Sequence, residues 1–124
     1  MSTIKEVSAE TGITAYTLRY YEKEGILPFV KRDRSGNRVY DEESLEWLKF
    51  VMALRSTGMP ISEIKRYVAW YREGDRTLPQ RKQMMLDHKA KVEETLRRTY
   101  RHLEQIQYKL ALYDLQENKL DRLP

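Results

Sequence analysis

With 124 residues, the chain is long enough for one compact domain with an extension and too short for two full domains. Its 23 lysines and arginines against 19 acidic residues leave a net charge of +4, which permits contact with nucleic acid but does not demonstrate it. The absence of cysteine excludes disulfides, thiolate metal sites and cysteine-based redox sensing.

The sequence lacks the residue patterns that are typical of membrane proteins, secreted proteins, metalloproteins and enzymes. No window approaches the roughly 18–20 consecutive apolar residues of a membrane span, and the first residues lack the basic and apolar regions of a leader. His88 and His102 have no metal-ligand spacing, and no nucleophile–base pair, carboxylate dyad or phosphate-binding glycine loop is found. We therefore expect a soluble, cytoplasmic, nucleoid-associated protein that is not an enzyme and has no metal, cofactor or membrane partner.

The first 25 residues predict two short helices. Thr3 and Glu6 fit a capping box at the start of the first helix, which glycine at position 12 ends. Thr14 can cap the second helix, which runs to Gly25. Two short helices joined by a glycine-containing turn are typical of a helix-turn-helix.

The second helix carries one polar, aromatic and basic face. Tyr16, Arg19, Tyr20 and Lys23 share it at spacings of three and four. Such a face suits contacts to phosphates and base edges. An ordinary amphipathic helix with a solvated charged face would have the same pattern, so this segment alone leaves both interpretations open.

Residues 28–40 predict a β-hairpin. Two short runs flank Ser35, Gly36 and Asn37, which are favourable turn residues. Four basic residues against one acidic residue give this segment a net charge of +3, most of the excess of the whole chain. A basic hairpin directly after a helix-turn-helix is typical of a wing that holds the phosphate backbone, although a solvated charged loop stays an alternative.

Two further helices are expected to support the head. The third opens at Asp41 and ends at Gly58, and Ser62 is expected to cap the fourth. The larger apolar and aromatic side chains here are interpreted as packing rather than as a ligand site. They are Trp47, Phe50, Met52 and Trp70.

Residues 78–113 predict one long helix, whose apolar positions follow a heptad repeat. A head this small cannot cover that seam, so we expect a partner helix, a two-stranded coiled coil and a homodimer; a helix folded back on its own chain is the alternative. The predicted dimer interface consists of Val92, Leu96, Leu103, Ile106, Leu110 and Tyr113.

Several segments together carry a family resemblance. Residues 17–22 (TLRYYE), 25–28 (GILP), 37–40 (NRVY) and 54–64 (LRSTGMPISEI) closely resemble the head of MerR family regulators. The resemblance implies a mainly α fold, with a winged helix-turn-helix head, a short β-hairpin wing and a long helix that dimerises as an antiparallel coiled coil. It divides the chain into a head (1–76), a dimerisation helix (77–113) and a short tail (114–124).

The resemblance also implies a mechanism. Such dimers bind near-palindromic sites in double-stranded promoter DNA whose −35 and −10 elements are too far apart, and they distort the duplex so that bound RNA polymerase can start transcription. Carried over by position, the DNA-contacting residues from the second helix are Thr14, Tyr16, Thr17, Arg19 and Tyr20. Those from the wing are Lys31, Arg32, Arg34, Asn37, Arg38 and Tyr40.

The region around residues 73–77 and 109–113 looks like a narrower branch of this family that responds to aldehydes and related electrophiles. That branch senses with one cysteine, at the position that is Ala53 here, so a thiol-adduct mechanism is excluded. Any small effector, whose identity stays open, would need a pocket at the dimer interface, for which the candidate lining is Tyr67, Trp70, Tyr71 and Met85.

Two non-enzymatic alternatives remain. An architectural, excisionase-like protein would use a similar winged head to bend DNA without responding to a ligand, but the long dimer helix favours a regulator. A coiled-coil interaction protein that does not touch DNA would not need the basic wing.

Overall fold

The computed structural model describes the backbone of residues 1–122 and the side chains of residues 1–119. Two compact units follow each other along the chain, one of Met1–Met84 and one that begins at Met85. None of the helices among the described residues is long and apolar enough to cross a membrane. The fold is mainly helical, as predicted, and contains a small three-stranded sheet.

The helix-turn-helix is confirmed. Helix α1 (Ile4–Thr11) begins at the predicted capping box and ends at Gly12, whose φ of 78° is the left-handed conformation that glycine accepts readily. Helix α2 (Ala15–Lys23) is capped by Thr14, whose side chain accepts a hydrogen bond from the amide of Thr17.

The wing is part of a sheet of three strands rather than two. Strands β2 (Lys31–Arg32) and β3 (Arg38–Tyr40) form the predicted antiparallel hairpin. Strand β1 (Ser2–Thr3), which was not predicted, pairs with the other edge of β3 and places that strand at the centre of the sheet. A two-residue strand has no periodicity of its own and becomes visible only through its pairing.

Two helices complete the first unit. Helix α3 (Glu42–Ser56) is capped by Asp41, as expected, and α4 spans Ile61–Glu73. The prediction that Ser62 caps α4 is wrong. The cap residue is Pro60, whose carbonyl oxygen accepts the first helical hydrogen bonds, so Ser62 lies inside the first turn.

The core of the first unit collects the apolar faces of these helices, the segment after α2 and the central strand. Its buried members are Val7, Leu18, Ile26, Leu27, Tyr40, Leu48, Val51, Leu54, Met59, Ile64 and Val68.

A short 3₁₀ turn (Asp75–Thr77) leads into α5, which spans Leu78–Arg122. The predicted end of this helix at Tyr113 is wrong, because the helix continues for nine more residues. The prediction stopped at the last apolar residue of the heptad repeat, although residues 114–122 include no glycine or proline to end a helix.

Candidate nucleic-acid interface

The exposed face of α2 is the face predicted from the sequence. Tyr16 is 78% exposed and Tyr20 39%, values that an apolar packing role would not require. Arg19 and Lys23 are exposed beside them, and these four side chains line one open depression together with Arg38 of the wing. Helix and wing therefore contribute to the same surface.

A second depression continues this surface toward the start of α1. Arg19 and Arg38 line it too, with Lys5 on the α1 side. The remaining lining residues are Thr3, Ile4, Arg32, Asp33, Gly36 and Asn37. Because both depressions share Arg19 and Arg38, they form one continuous face, which we call the basic surface.

Glu22 of α2 connects the helix to the wing. One carboxylate oxygen lies 2.6 Å from Nε of Arg38, and the other lies 3.0 Å from a terminal nitrogen of Arg32. Arg32 also donates to the carbonyl of Gly36 in the turn. Exposed ion pairs contribute little stability individually, but one carboxylate shared by two arginines orients both of them.

Asp41 holds strand β2 of the wing at a second point. Its carboxylate accepts a hydrogen bond from Lys31 Nζ at 2.5 Å and another from the amide of Ser44 at 2.9 Å. Lys31, and then Ser44, lower the pKa of Asp41 from 3.8 to about 2. The same contact raises the pKa of Lys31. Asp41 therefore caps α3 and anchors the base of the wing.

The wing turn itself is held by Asp33. Its side chain accepts hydrogen bonds from the amides of Ser35 and Asn37, both at 2.9 Å. Arg34, at the tip of this turn, is exposed and forms no ion pair among the residues the structure describes. Its guanidinium is available for an external anion without breaking an internal contact.

Tyr40 does not fit its predicted role. Its side chain is only 1% exposed, so the prediction that it contacts DNA is wrong for this conformation. Tyr40 belongs to the central strand of the sheet, and its side chain is part of the core of the first unit. Burial raises the pKa of the Tyr40 hydroxyl, which has no hydrogen-bond partner among the described residues.

The two threonines predicted to contact DNA, Thr14 and Thr17, are engaged in the helix cap. Their hydroxyls lie 3.0 Å apart, and the Thr14 oxygen also accepts from the Thr17 amide. Thr14 is exposed and Thr17 half-buried, and their contact with DNA stays a prediction.

Sequence reasoning missed Glu22, Asp41 and Lys5 as parts of this surface. Lys5 could have been noticed, because a lysine in the first turn of a helix opposes the positive end of the helix dipole. Glu22 and Asp41 meet their partners across 10 to 16 residues, and those contacts have no local signature.

The residues proposed for an effector pocket separate in the structure. Tyr67 and Tyr71 line a groove beside α3, while Trp70 is half-buried and is not among the residues that line it. Met85 belongs to the second unit.

The seam predicted on α5 is exposed in the single chain. Leu96 is 63% exposed, Leu103 45%, Ile106 57% and Leu110 56%. Tyr113 is half exposed as well, and Val92 is partly buried. An apolar stripe of this length is unusual on a surface that stays in water.

Comparison with known proteins identifies the family. A model of the MerR HTH family regulatory proteins matches residues 2–69, and a model described as MerR, DNA binding matches residues 45–109. The chain belongs to the MerR family. It is therefore a DNA-binding transcription regulator and not an enzyme.

Three known proteins illustrate the similarity. An uncharacterised HTH-type transcriptional regulator of Haemophilus influenzae is 38% identical over 90% of this chain and 82% of its own length. The regulator AdhR of Bacillus subtilis is 42% identical over 72% of this chain and 64% of its own length. The crystal structure of HiNmlR, a MerR family regulator lacking the sensor domain and bound to promoter DNA, superimposes with a TM-score of 0.84 at 36% identity, over 94% of this chain and 92% of that one.

Proposed function

We propose that this MerR protein binds a near-palindromic promoter site as a homodimer and distorts the DNA to control initiation by RNA polymerase. The observation that carries the proposal is the basic surface, on which Arg19 of α2 and Arg38 of the wing line the same depressions. In this arrangement α2 enters the major groove and the wing holds the adjacent phosphates. The solved complex of HiNmlR with promoter DNA supports promoter DNA as the target.

Three of the four basic side chains of the wing form ion pairs with carboxylates, and these pairs affect how the wing would bind DNA. Glu22 and Asp41 lower the net charge of the wing region but hold Lys31, Arg32 and Arg38 in place before DNA arrives. Preorganised arginines lose less side-chain entropy on binding. Arg34 and Asn37 at the turn add contacts to DNA that form without the loss of an ion pair within the protein.

The homodimer is supported by the exposed seam of α5. We propose the sequence division into a head of residues 1–76 and a dimerisation helix from residue 77, with the helix extending to Arg122 in the segment first assigned to a tail. Pairing α5 with a second copy, antiparallel as in the family it belongs to, would cover the stripe and set two heads at the spacing of two half-sites.

Sensing by thiol chemistry is excluded by composition. The chain has no cysteine, and Ala53, where the aldehyde-responsive branch would have its sensor, is an exposed alanine on α3. We propose that the protein is similar to that branch in fold and that its effector binds reversibly.

The test starts from genomic DNA. Purified protein is used to select fragments at a stated salt concentration, and affinity for the selected site is measured by fluorescence anisotropy. One near-palindromic site inside a promoter with an overlong spacer is the expected result. Binding of equal strength everywhere would instead favour the architectural, excisionase-like function.

A matched pair of variants tests the recognition face. Arg19→Ala should weaken site binding by about 5- to 150-fold, the range of one bidentate base contact, and relax the preference for the site. Arg66→Ala removes the same charge from an exposed position of α4 outside the basic surface and should change affinity less than about twofold. Equal effects of the two substitutions would mean that α2 does not read the DNA.

A further inference from the structure

A groove that shares no residue with the basic surface lies along α3 and α4. It encloses about 330 Å³, which is near the lower end of small-molecule sites at roughly 300–1,000 Å³. Its walls are five aromatic rings and two carboxylates. They belong to Phe29, Glu43, Glu46, Trp47, Phe50, Tyr67 and Tyr71.

Trp47 is the centre of the aromatic wall. Its ring centroid lies 4.8 Å from that of Tyr71, 5.4 Å from Phe29 and 6.1 Å from Phe50. Its indole N–H donates to the carbonyl of Ile26 at 2.9 Å, so the ring is held in one orientation. Four of the five rings are partly buried and Tyr71 is exposed, and all five line the groove.

One ring of the aromatic wall is already in contact with a cation. The guanidinium of Arg81 lies 5.4 Å from the centroid of Tyr71, within the range of a cation–π contact. Arg81 is fixed there by hydrogen bonds to Thr77 and to the carbonyl of Gly74. The face of Tyr71 that Arg81 covers thus stabilises a positive charge.

The carboxylates at the rim select the same charge. Glu43 and Glu46 are three residues apart on α3 and share a helix face. Both are exposed, and neither forms an ion pair within the part of the chain that the structure describes. Aromatic faces beside unpaired carboxylates repel anions and favour a weakly hydrated cation over a neutral molecule.

We propose that this groove binds a small organic cation of the quaternary ammonium class and acts as the effector site of the regulator. The effector role, unlike the binding of the cation, rests on the proposed function. A methylated ammonium is bulky, apolar at its surface and positively charged, and it therefore matches both the rings and the carboxylates.

A physical connection leads from the groove to the wing. The carbonyl of Phe29 accepts a hydrogen bond from Ser44 Oγ at 2.7 Å, and Phe29 lies two residues before Lys31. Asp41, at the start of α3, holds Lys31 directly. A cation drawn against Phe29 and Glu43 therefore acts on the two segments that position β2, and we expect it to change DNA affinity.

The binding test uses the whole protein without DNA. Choline is titrated while the indole N–H resonances of Trp47 and Trp70 are followed by NMR, with 3,3-dimethylbutan-1-ol as the neutral molecule of the same shape and sodium chloride as the ionic control. Choline should shift the Trp47 resonance saturably and leave that of Trp70 in place, and the alcohol should bind at least about fivefold more weakly.

Two glutamates of one helical turn provide a matched control. Glu43→Gln should weaken choline binding about fivefold by removing one nearby charge. Glu42→Gln makes the same change in the first turn of α3 but outside the groove, and should have no such effect. Both positions are exposed, so neither substitution endangers folding.

Each other outcome overturns a definite part of the proposal. Equal binding of choline and the alcohol, or equal effects of the two glutamate variants, would exclude selection for a cation. A Trp47 resonance that responds to protein dilution but not to choline would mean that a second copy covers the groove. Choline binding that leaves the anisotropy-measured DNA affinity unchanged would remove the effector role, whereas choline binding by a protein that binds no DNA would overturn the proposed function and leave the site standing.

Discussion

Replacing Leu103 with aspartate is the most direct test of the α5 seam. Full burial of a leucine contributes about 1.5–3 kcal/mol, and 45% of this side chain is free in the single chain, so dimerisation gains roughly 1 kcal/mol per copy here. Both copies lose that gain in the variant. Each also places a carboxylate in the seam, at a penalty of about several kcal/mol per buried ion.

These contributions add to at least about 5 kcal/mol, which corresponds to a dimer dissociation constant raised by more than about a thousandfold. Sedimentation equilibrium over a wide range of protein concentration measures that constant. Since one head contacts only one half-site, affinity for a palindromic site should fall in parallel with the loss of dimer.

Tyr108→Asp is the matched control for this substitution. Tyr108 is 67% exposed on the same helix, and five residues of α-helix rotate it roughly 140° away from Leu103. It introduces the same residue, with the same helix propensity, outside the seam. If Leu103→Asp dimerises as tightly as Tyr108→Asp, the proposed heptad register is refuted; if both dissociate, loss of helix rather than a charged seam is the cause, which far-ultraviolet circular dichroism would show.

Three further substitutions test the wing. Arg34→Ala should lower the slope of log affinity against log salt by about 0.9, one phosphate contact, and an unchanged slope would mean that the turn does not touch the backbone. Tyr40→Phe should leave DNA affinity within about twofold and the melting temperature no lower, because the lost hydroxyl has no partner among the described residues; a large loss of affinity would restore Tyr40 as a contact. Asp41→Asn keeps a helix cap but loses the ion pair. Because the pKa of Asp41 is lowered from 3.8 to about 2, the stabilisation by this carboxylate is complete above pH 3.8 and lost as the pH falls toward 2. Chemical denaturation should therefore show wild type and variant differing at pH 5 and converging near pH 2, and a constant difference would contradict the ion pair.

Local signals in the sequence were sufficient for most of the helices. The capping box of Thr3 and Glu6, the Thr14 cap and the stop at Gly12 depend on contacts within a few residues, which any reader of the chain can see. The hairpin followed in the same way from its turn residues. The error at Ser62 shows the limit of such signals. Serine is a favourable cap residue, but the helix begins two residues earlier, with Pro60 at the cap position.

The candidate interface was predictable as a set of residues but not as an arrangement. The exposed face of α2 followed from helical spacing, and the positive charge of the wing followed from composition. The role of Glu22, which orients Arg32 and Arg38, could not be predicted, because no local pattern pairs residues 10 and 16 positions apart. Of the residues that line the aromatic groove, the sequence analysis assigned Tyr67 and Tyr71 to an effector pocket but interpreted Trp47 and Phe50 as packing.

The sequence by itself determined the helix-turn-helix, the basic hairpin, the long apolar seam and the absence of thiol chemistry, because each depends on residue type and near-neighbour spacing. Tertiary structure alone decided that β1 completes the sheet, that Tyr40 is buried in the core, and that α2 and the wing form one surface. Those outcomes depend on contacts between segments far apart in the chain, whose free energies arise only when the chain has folded and brought them together.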